Sequence, residues 1–282
     1  MFVPAGKAPA RRVLIVGLGE KKKFDASASR KAAAAAAKAC RDARLTNLAF
    51  AATDHDATDA MAEGLAMANY DPGLHLTRDQ DKRTPLLAKA TFCVADKAAA
   101  VRARVNRGLA LAAGENFSRD LVNEPSNCLT PTAMANRAKA LARRFDTLTC
   151  RVWGPKEIEK NKMGGLIGVG RGSSEPNQFI QLEYKPKKAT RGMKTIAFVG
   201  KGLTFDTGGI SIKPSAGMEL MKFDMGGAAA VLGAFRILAE TRPRSPLLTY
   251  SSASSSRRSR RPAALCGALH PHSPCVPRPT RR

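Results

Sequence analysis

The stretch VGKGLTFDTGGISIKPSAGMELMKFDMGG, residues 199–227, decides how the rest of this 282-residue chain is read. It sets Lys201, Asp206, Lys213 and Asp224 beside Gly208, Gly209, Gly226 and Gly227. Charge and permissive backbone occur together here at a density that packing alone seldom requires. Asp206 falls just past a strand expected over 195–199, where open α/β sheets place their sites. Gly208 and Gly209 let the chain turn back, Lys213 lies in an extended SIK segment, and Asp224 precedes a helix that starts at Gly226-Gly227. Two carboxylates and two lysines therefore meet at one turn region. Taken singly, each suits a surface salt bridge worth ~0–1 kcal/mol. Interleaved with Leu203, Phe205, Ile210, Ile212, Met221 and Phe223, they read instead as partly desolvated carboxylates, which need a cation.

Upstream, residues 12–17 (RVLIVG) read as a buried strand, and the alanine-rich 26–41 as a strong helix. Gly17-Leu18-Gly19 between them does not complete a dinucleotide fingerprint, because Lys22 stands where the third glycine would be. Strands expected over 45–52 and 86–94 flank a helix at 58–69, so an α/β domain follows. A long helix over 96–122 stops at Asn123-Glu124-Pro125 and reads as a connector. The next helix covers 131–145, with Thr130 as its N-cap and Pro131 in the first turn. Further strands are expected at 148–153, 166–169 and 179–184, and a buried helix at 226–240.

Composition narrows the function classes. Apolar residues make up 44% of the chain, enough for real cores, and no run approaches the ~18–20 apolar residues of a membrane span. The apolar run near the start is shorter than the roughly 7–15 residues of a secretory h-region, so a cytoplasmic protein is expected. The six cysteines are scattered without a CxxC pair and read as reduced, mostly buried thiols. The four histidines form no HExxH, so any metal is held by other groups. The net charge is +24, and residues 241–282 contribute nine arginines and no acid to it. Such a balance attracts nucleic acid at low salt. Residues 1–240 nevertheless contain no basic patch interleaved with aromatics, and their charge reads as a solvated surface.

VGKGLTFDTGGISIKP (199–214) and KFDMGGAAAVLGA (222–234) together resemble the leucyl aminopeptidase family of two-metal peptidases, with lysine, aspartate, lysine and aspartate in the family's spacing. RDLVNEPSNCLTPTAMA (119–135) resembles the start of that family's catalytic domain, KEIEKNKMGGLIGVGRGSSEPNQFIQLEY (156–184) its next segment, and VLIVGLGEKKKFD (13–25) its N-terminal domain. The resemblance implies an α/β fold in four parts. These are an N-terminal α/β domain of the macro-like kind (1–95), a connecting helix (96–122), the first part of a catalytic domain with a mixed central sheet (123–240), and, beyond the resemblance, a segment whose composition reads as an aberrant basic, disordered tail (241–282). It further implies two divalent ions, Mn or Zn, held by Lys201 as a neutral amine, by Asp206 between both ions, and by Asp224. Lys213 would stabilise the oxyanion as the catalytic cation. Met221 would line the pocket for a leucine-like first residue, and Asp206 would also face the peptide substrate. The family's hexamer is the implied assembly.

The family also carries an Asn-Thr-Asp-Ala-Glu-Gly-Arg motif whose acids complete the metal site, and no such motif occurs in this sequence. After residue 240 the chain becomes rich in Ser, Arg and Pro. That segment is either a natural basic arm that engages nucleic acid or the product of a reading frame shifted near residue 241. The expected consequence of the missing motif is impaired peptidase activity; the alternative reading is a non-catalytic remnant, a basic protein whose arginine tail engages nucleic acid.

Overall fold

The alanines that follow Asp25 form a helix, as their propensity dictates: α1 (Ala26–Asp42) starts where the Asp25 carboxylate accepts the Ala28 N–H at 2.8 Å. The computed structural model describes residues 2–4, 10–51, 57–73, 75–79, 82–94, 97–187, 195–243 and 247–255. The chain divides into two compact units, Met1–Asp120 with Gly233–Pro243, and Leu121–Leu232 with Arg244–Arg282.

In the first unit, β1 (Phe2–Pro4) and β2 (Arg12–Leu14) pair antiparallel, while β3 (Asn47–Ala51) and β4 (Lys89–Cys93) pair parallel with α2 (Thr58–Ala68) in the crossover. The helices α1 and α2 approach so closely at Gly64 that a Cβ there would collide with the Arg30 carbonyl. Arg30 also reaches across to Glu63 at 2.8 Å. That hydrogen bond raises the guanidinium's affinity for its proton. Asn69, just past α2, acts as a short piece of strand: its carboxamide donates to the Leu87 carbonyl (3.1 Å) and accepts the Leu87 N–H (2.8 Å), aligning the approach to β4. The small core between helices and strands contains Ala33, Ala37, Cys40, Leu65 and Leu87.

α3 (Ala98–Asn123) leads to α4 (Pro131–Arg143), whose first turn is capped as expected: the Thr130 hydroxyl accepts the Ala133 N–H at 3.2 Å. In the second unit a four-stranded mixed sheet has the order β5 (Leu148–Trp153), β6 (Gln178–Tyr184), β8 (Leu247–Ser255), β7 (Ile196–Phe205). β5–β6 and β6–β8 are antiparallel and β8–β7 parallel. Strict alternation on β6 buries Ile180, Leu182 and Tyr184, and α4 packs over the sheet with Met134, Ala138 and Leu141 fully buried. Each buried Ile, Leu or Met side chain among them contributes about 1.5–3 kcal/mol. α5 (Pro155–Lys160) and α6 (Gly164–Gly170) follow β5, and α7 (Gly226–Thr241) precedes β8. No helix among the described residues is long and apolar enough to cross a membrane.

Several expectations change. Residues 166–169 are not a strand but lie in α6, where the Ile167 N–H closes a helical turn on the Met163 carbonyl at 3.1 Å. A short apolar run between glycines carries no periodicity that separates the two states. The strand expected over 12–17 shrinks to Arg12–Leu14, which pairs with β1, and Ile15 is exposed. The boundary placed at residue 240 moves: Leu247–Ser255 forms a strand between β6 and β7, as the run LLTY favours. The helix expected to be a separate connector is grouped, up to Asp120, with the first unit. The arginine-rich 256–282, with His270, His272, Cys266 and Cys275, lies outside the described residues, as does His55.

The thiols are less uniformly buried than expected: Cys40 is buried, Cys128 and Cys150 half-buried, and Cys93 exposed. Cys93 sits at the end of β4, which among the described residues pairs with β3 alone. Burial in the sheet pushes the Cys150 thiol from 9.0 up to about 11. Between those two values the unfolded chain ionises its thiol while the folded chain keeps the proton, so stability falls as pH rises through that window. Chemical denaturation at pH 8, 9, 10 and 11 is expected to show this decline, and Cys150→Ser to flatten it. At pH 8, iodoacetamide is expected to label Cys93 in the folded protein and Cys150 only on unfolding, which mass spectrometry of digests reads directly.

Candidate metal centre

Lys201 comes from the middle of β7, and Asp206 is the first residue past its end. The chain then folds back on itself through local bonds. One Asp206 oxygen, Oδ1, accepts the Gly208 N–H at 2.8 Å, the Thr207 hydroxyl accepts the Gly209 N–H at 3.4 Å, and the Lys213 N–H closes the loop on the Thr207 carbonyl at 2.9 Å. This path requires φ of +89° at Gly208 and +73° at Gly209, which only glycine adopts without strain. Inside the loop the Lys213 ammonium lies 2.7 Å from Asp206 Oδ2 and 3.0 Å from the Met221 sulfur.

Gly217 turns the chain again into a 3₁₀ helix, Met218–Phe223, which ends on Asp224. Lys222 fastens this helix to the end of α3 by donating to the Asn123 carbonyl at 3.1 Å. Asp224 Oδ1 then meets the Lys201 ammonium at 2.8 Å. The structure thus joins the four charged residues as two separate, nested pairs, Lys201 with Asp224 and, within that span, Asp206 with Lys213, with Met221 against the second. Sequence spacing did not reveal this pairing, since each bond spans a turn whose direction only the fold sets.

The two carboxylates differ. The Asp224 side chain is 22% exposed, and its second oxygen, Oδ2, is buried with no hydrogen-bond partner. Leaving an acceptor in that state costs free energy that an exposed carboxylate avoids. Lys201 is 63% exposed, so the desolvation expected around it is not present. The reason is the setting: Ile210, Ile212 and Phe223, expected to shield the charges, are themselves exposed. Among the described residues no three His, Cys, Asp or Glu side chains cluster, and the donor set here is two carboxylates and an amine. Carboxylates with a nitrogen donor suit a divalent cation such as Mn or Zn, and the open Asp224 oxygen fits one.

Sequence reasoning missed Gly200 and Lys222. A Cβ on Gly200 would come within 2.6 Å of the Gly227 carbonyl oxygen and 2.7 Å of the Ala228 Cα, and one on Gly227 within 2.9 Å of the Lys201 nitrogen. These glycines let the start of α7 rest on β7 beside the lysine. A glycine inside a strand signals such a close approach.

Comparison with known proteins agrees with the architecture. Residues 116–259 match the Cytosol aminopeptidase family, catalytic domain, and residues 1–72 match that family's N-terminal domain. A probable cytosol aminopeptidase of Solibacter usitatus is 40% identical over 268 residues, covering 93% of this chain and 54% of that protein. Among solved structures, the bottromycin maturation enzyme BotP in complex with Mn is 32% identical with a TM-score of 0.79, over 92% of this chain and 54% of that one. A tomato leucine aminopeptidase mutant is 27% identical with a TM-score of 0.73, over 92% and 50%. The chain therefore spans about half the length of the relatives it matches. With a catalytic-domain match that runs from α3 through β8 and an N-terminal match ahead of it, the chain belongs to the cytosol aminopeptidase family.

Proposed function

We propose that this chain provides the lysine and aspartate part of a metal-dependent aminopeptidase that releases N-terminal residues, leucine-like ones by preference, from peptides. The observation that carries the reading is Asp224, held on Lys201 through one oxygen and offering the other, buried and unpartnered, as a cation ligand. Lys201, Asp206 and Asp224 would hold divalent ions, Mn or Zn, with Asp206 shared between two. Ions bound there would polarise the scissile carbonyl and activate a water. That the similar BotP was solved in complex with Mn supports the choice of ion.

The chain's own residues would do the rest. Lys213, held beside Asp206 at 2.7 Å, keeps a positive charge where the carbonyl oxygen becomes negative. Asp206 presents its carboxylate to the substrate's N-terminal ammonium. Met221, whose flexible thioether adapts to branched and unbranched alkyl groups, contacts the first side chain. Two carboxylates and one amine are few donors for two ions, each of which needs at least four ligands, so slow turnover by this chain is part of the reading.

The test is Mn²⁺ titration of the 282-residue protein, followed by thermal unfolding and by hydrolysis of leucine p-nitroanilide. The expected result is an Mn²⁺-dependent rise in melting temperature that Asp206→Ala removes, with weak Mn²⁺-dependent hydrolysis that Lys213→Met abolishes. Hydrolysis that persists in a chelator, or an Mn²⁺ response unchanged by Asp206→Ala, overturns the proposal.

A further inference from the structure

The 3₁₀ helix Met218–Phe223 carries Met221 and leads straight into Asp224, yet little of it is buried: Met218 is, while Glu219, Leu220 and Phe223 are exposed. The backbone bonds at its two ends are local and long, 3.2 Å from the Met218 N–H to the Ser215 carbonyl, 3.1 Å from Leu220 to Gly217 and 3.3 Å from Asp224 to Met221. Such bonds are the weaker kind that 3₁₀ turns make, and a short run of them holds its shape poorly. Side chains supply the remainder. Met221 touches Lys213 and Asp224 touches Lys201, both inside the site. Among the described residues, the one hydrogen bond that ties 214–224 to an element outside the site is the donation from Lys222 Nζ to the Asn123 carbonyl at 3.1 Å.

Asn123 is a firm point of attachment. It is the last residue of α3, where carbonyls take donors from outside the helix and a cation suits the negative end of the helix dipole. Leu121 just before it and Leu129 in the turn that follows are both 2% exposed, and the next residue, Glu124, is held by Arg137 of α4. All of these residues belong to the second unit. We propose that Lys222 is a positioning residue of the metal centre: its bond to Asn123 fixes the 3₁₀ helix on the corner between α3 and α4 and so sets where Met221 and Asp224 stand. The inference rests on the reading of Asp224 as a cation ligand. Lys222 is one residue from Met221 and two from Asp224, so whatever holds its side chain restrains theirs. Once the bond is cut, only the weak turns and the site's own ion pair keep Asp224 in place, and that pair is with a lysine 63% exposed. A carboxylate that wanders binds a divalent ion less tightly than one held by its surroundings.

The test compares the 282-residue protein with three variants. Lys222→Met keeps the apolar stem and removes the donor, Lys222→Arg keeps a donor, and Glu219→Gln is a control on the exposed side of the same helix. Mn²⁺ affinity is read from the dependence of the melting temperature on metal, and the amides of 218–224 are followed by hydrogen exchange in chelator. Lys222→Met is expected to bind Mn²⁺ about tenfold more weakly. In chelator it should exchange the Leu220 and Asp224 amides faster yet melt close to the unaltered protein, because a short exposed segment opens without global unfolding. Lys222→Arg should restore both affinity and protection, and Glu219→Gln should change neither. Unaltered Mn²⁺ affinity or unaltered exchange in Lys222→Met overturns the proposal, and so does a loss that arginine leaves unrepaired. An unaltered protein without any Mn²⁺ response overturns the metal reading instead, and the exchange measurement, which uses no metal, then decides the part of Lys222 by itself.

Discussion

Replacing Asp224 by asparagine is expected to abolish the Mn²⁺ response while leaving the metal-free protein as stable as before, or more so. The two effects oppose each other for one reason. In the metal-free chain the carboxylate holds Lys201 at 2.8 Å through Oδ1, but the lysine is 63% exposed, so that pair adds little, ~0–1 kcal/mol at most. Its other oxygen is buried and unpartnered, an arrangement costing on the order of 1–3 kcal/mol. A neutral amide of the same shape still accepts from Lys201 and is cheaper to desolvate than a charged carboxylate. A divalent ion, in contrast, requires the negative oxygen, and losing it should weaken binding at least about tenfold. Thermal unfolding with and without Mn²⁺ reads both effects. A variant that melts lower without metal and still responds to it would contradict this account of Asp224.

The second large effect is expected at Gly200. An alanine there drives its Cβ into the Gly227 carbonyl and the Ala228 Cα, both backbone atoms that no rotamer change can move. The start of α7 must shift away from β7, which costs about 1–3 kcal/mol, as overpacking does elsewhere. Lys201, the next residue, should lose its register with Asp224 at the other side of the contact. Gly200→Ala is therefore expected to lower stability and Mn²⁺ binding together. Gly227→Ala, at 2.9 Å from the Lys201 nitrogen, should do the same more mildly. Gly226 is the control: a Cβ there meets nothing within 4 Å, and alanine suits a helix start better than glycine does. Gly226→Ala should bind Mn²⁺ normally and unfold no earlier. Equal losses at 226 and 227 would refute the close-approach argument.

The helices were legible in the sequence where composition and caps agreed. Asp25 and Thr130 each cap the helix that follows, and the poly-alanine of α1 has no competing state. The strand read at 148–153 coincides with β5, because β-branched and aromatic residues fill it between turn signals. Illegible were the places where partners decide the outcome. Residues 166–169 have strand composition but turn as a helix, and of 12–17 only Arg12–Leu14 is a strand. The metal-site side chains could be named from their types and spacing. Their nested pairing, the exposure of Lys201 and the part played by Gly200 depend on the path of the 206–213 loop and the seating of α7.

The strand order carries a consequence for synthesis on the ribosome. β5 and β6 can zip together as soon as Tyr184 emerges, but β7 finds its neighbour only when Leu247–Ser255 has followed, after the loop, the 3₁₀ helix and α7 have been made. Until then both sides of β7 are bare, and so is the β6 side that β8 will occupy. Parallel pairing over such a distance closes slowly. The nascent chain passes through a stage in which an apolar ten-residue strand waits for a partner, and chaperone capture at Ile196–Phe205 is the expected signature of that wait.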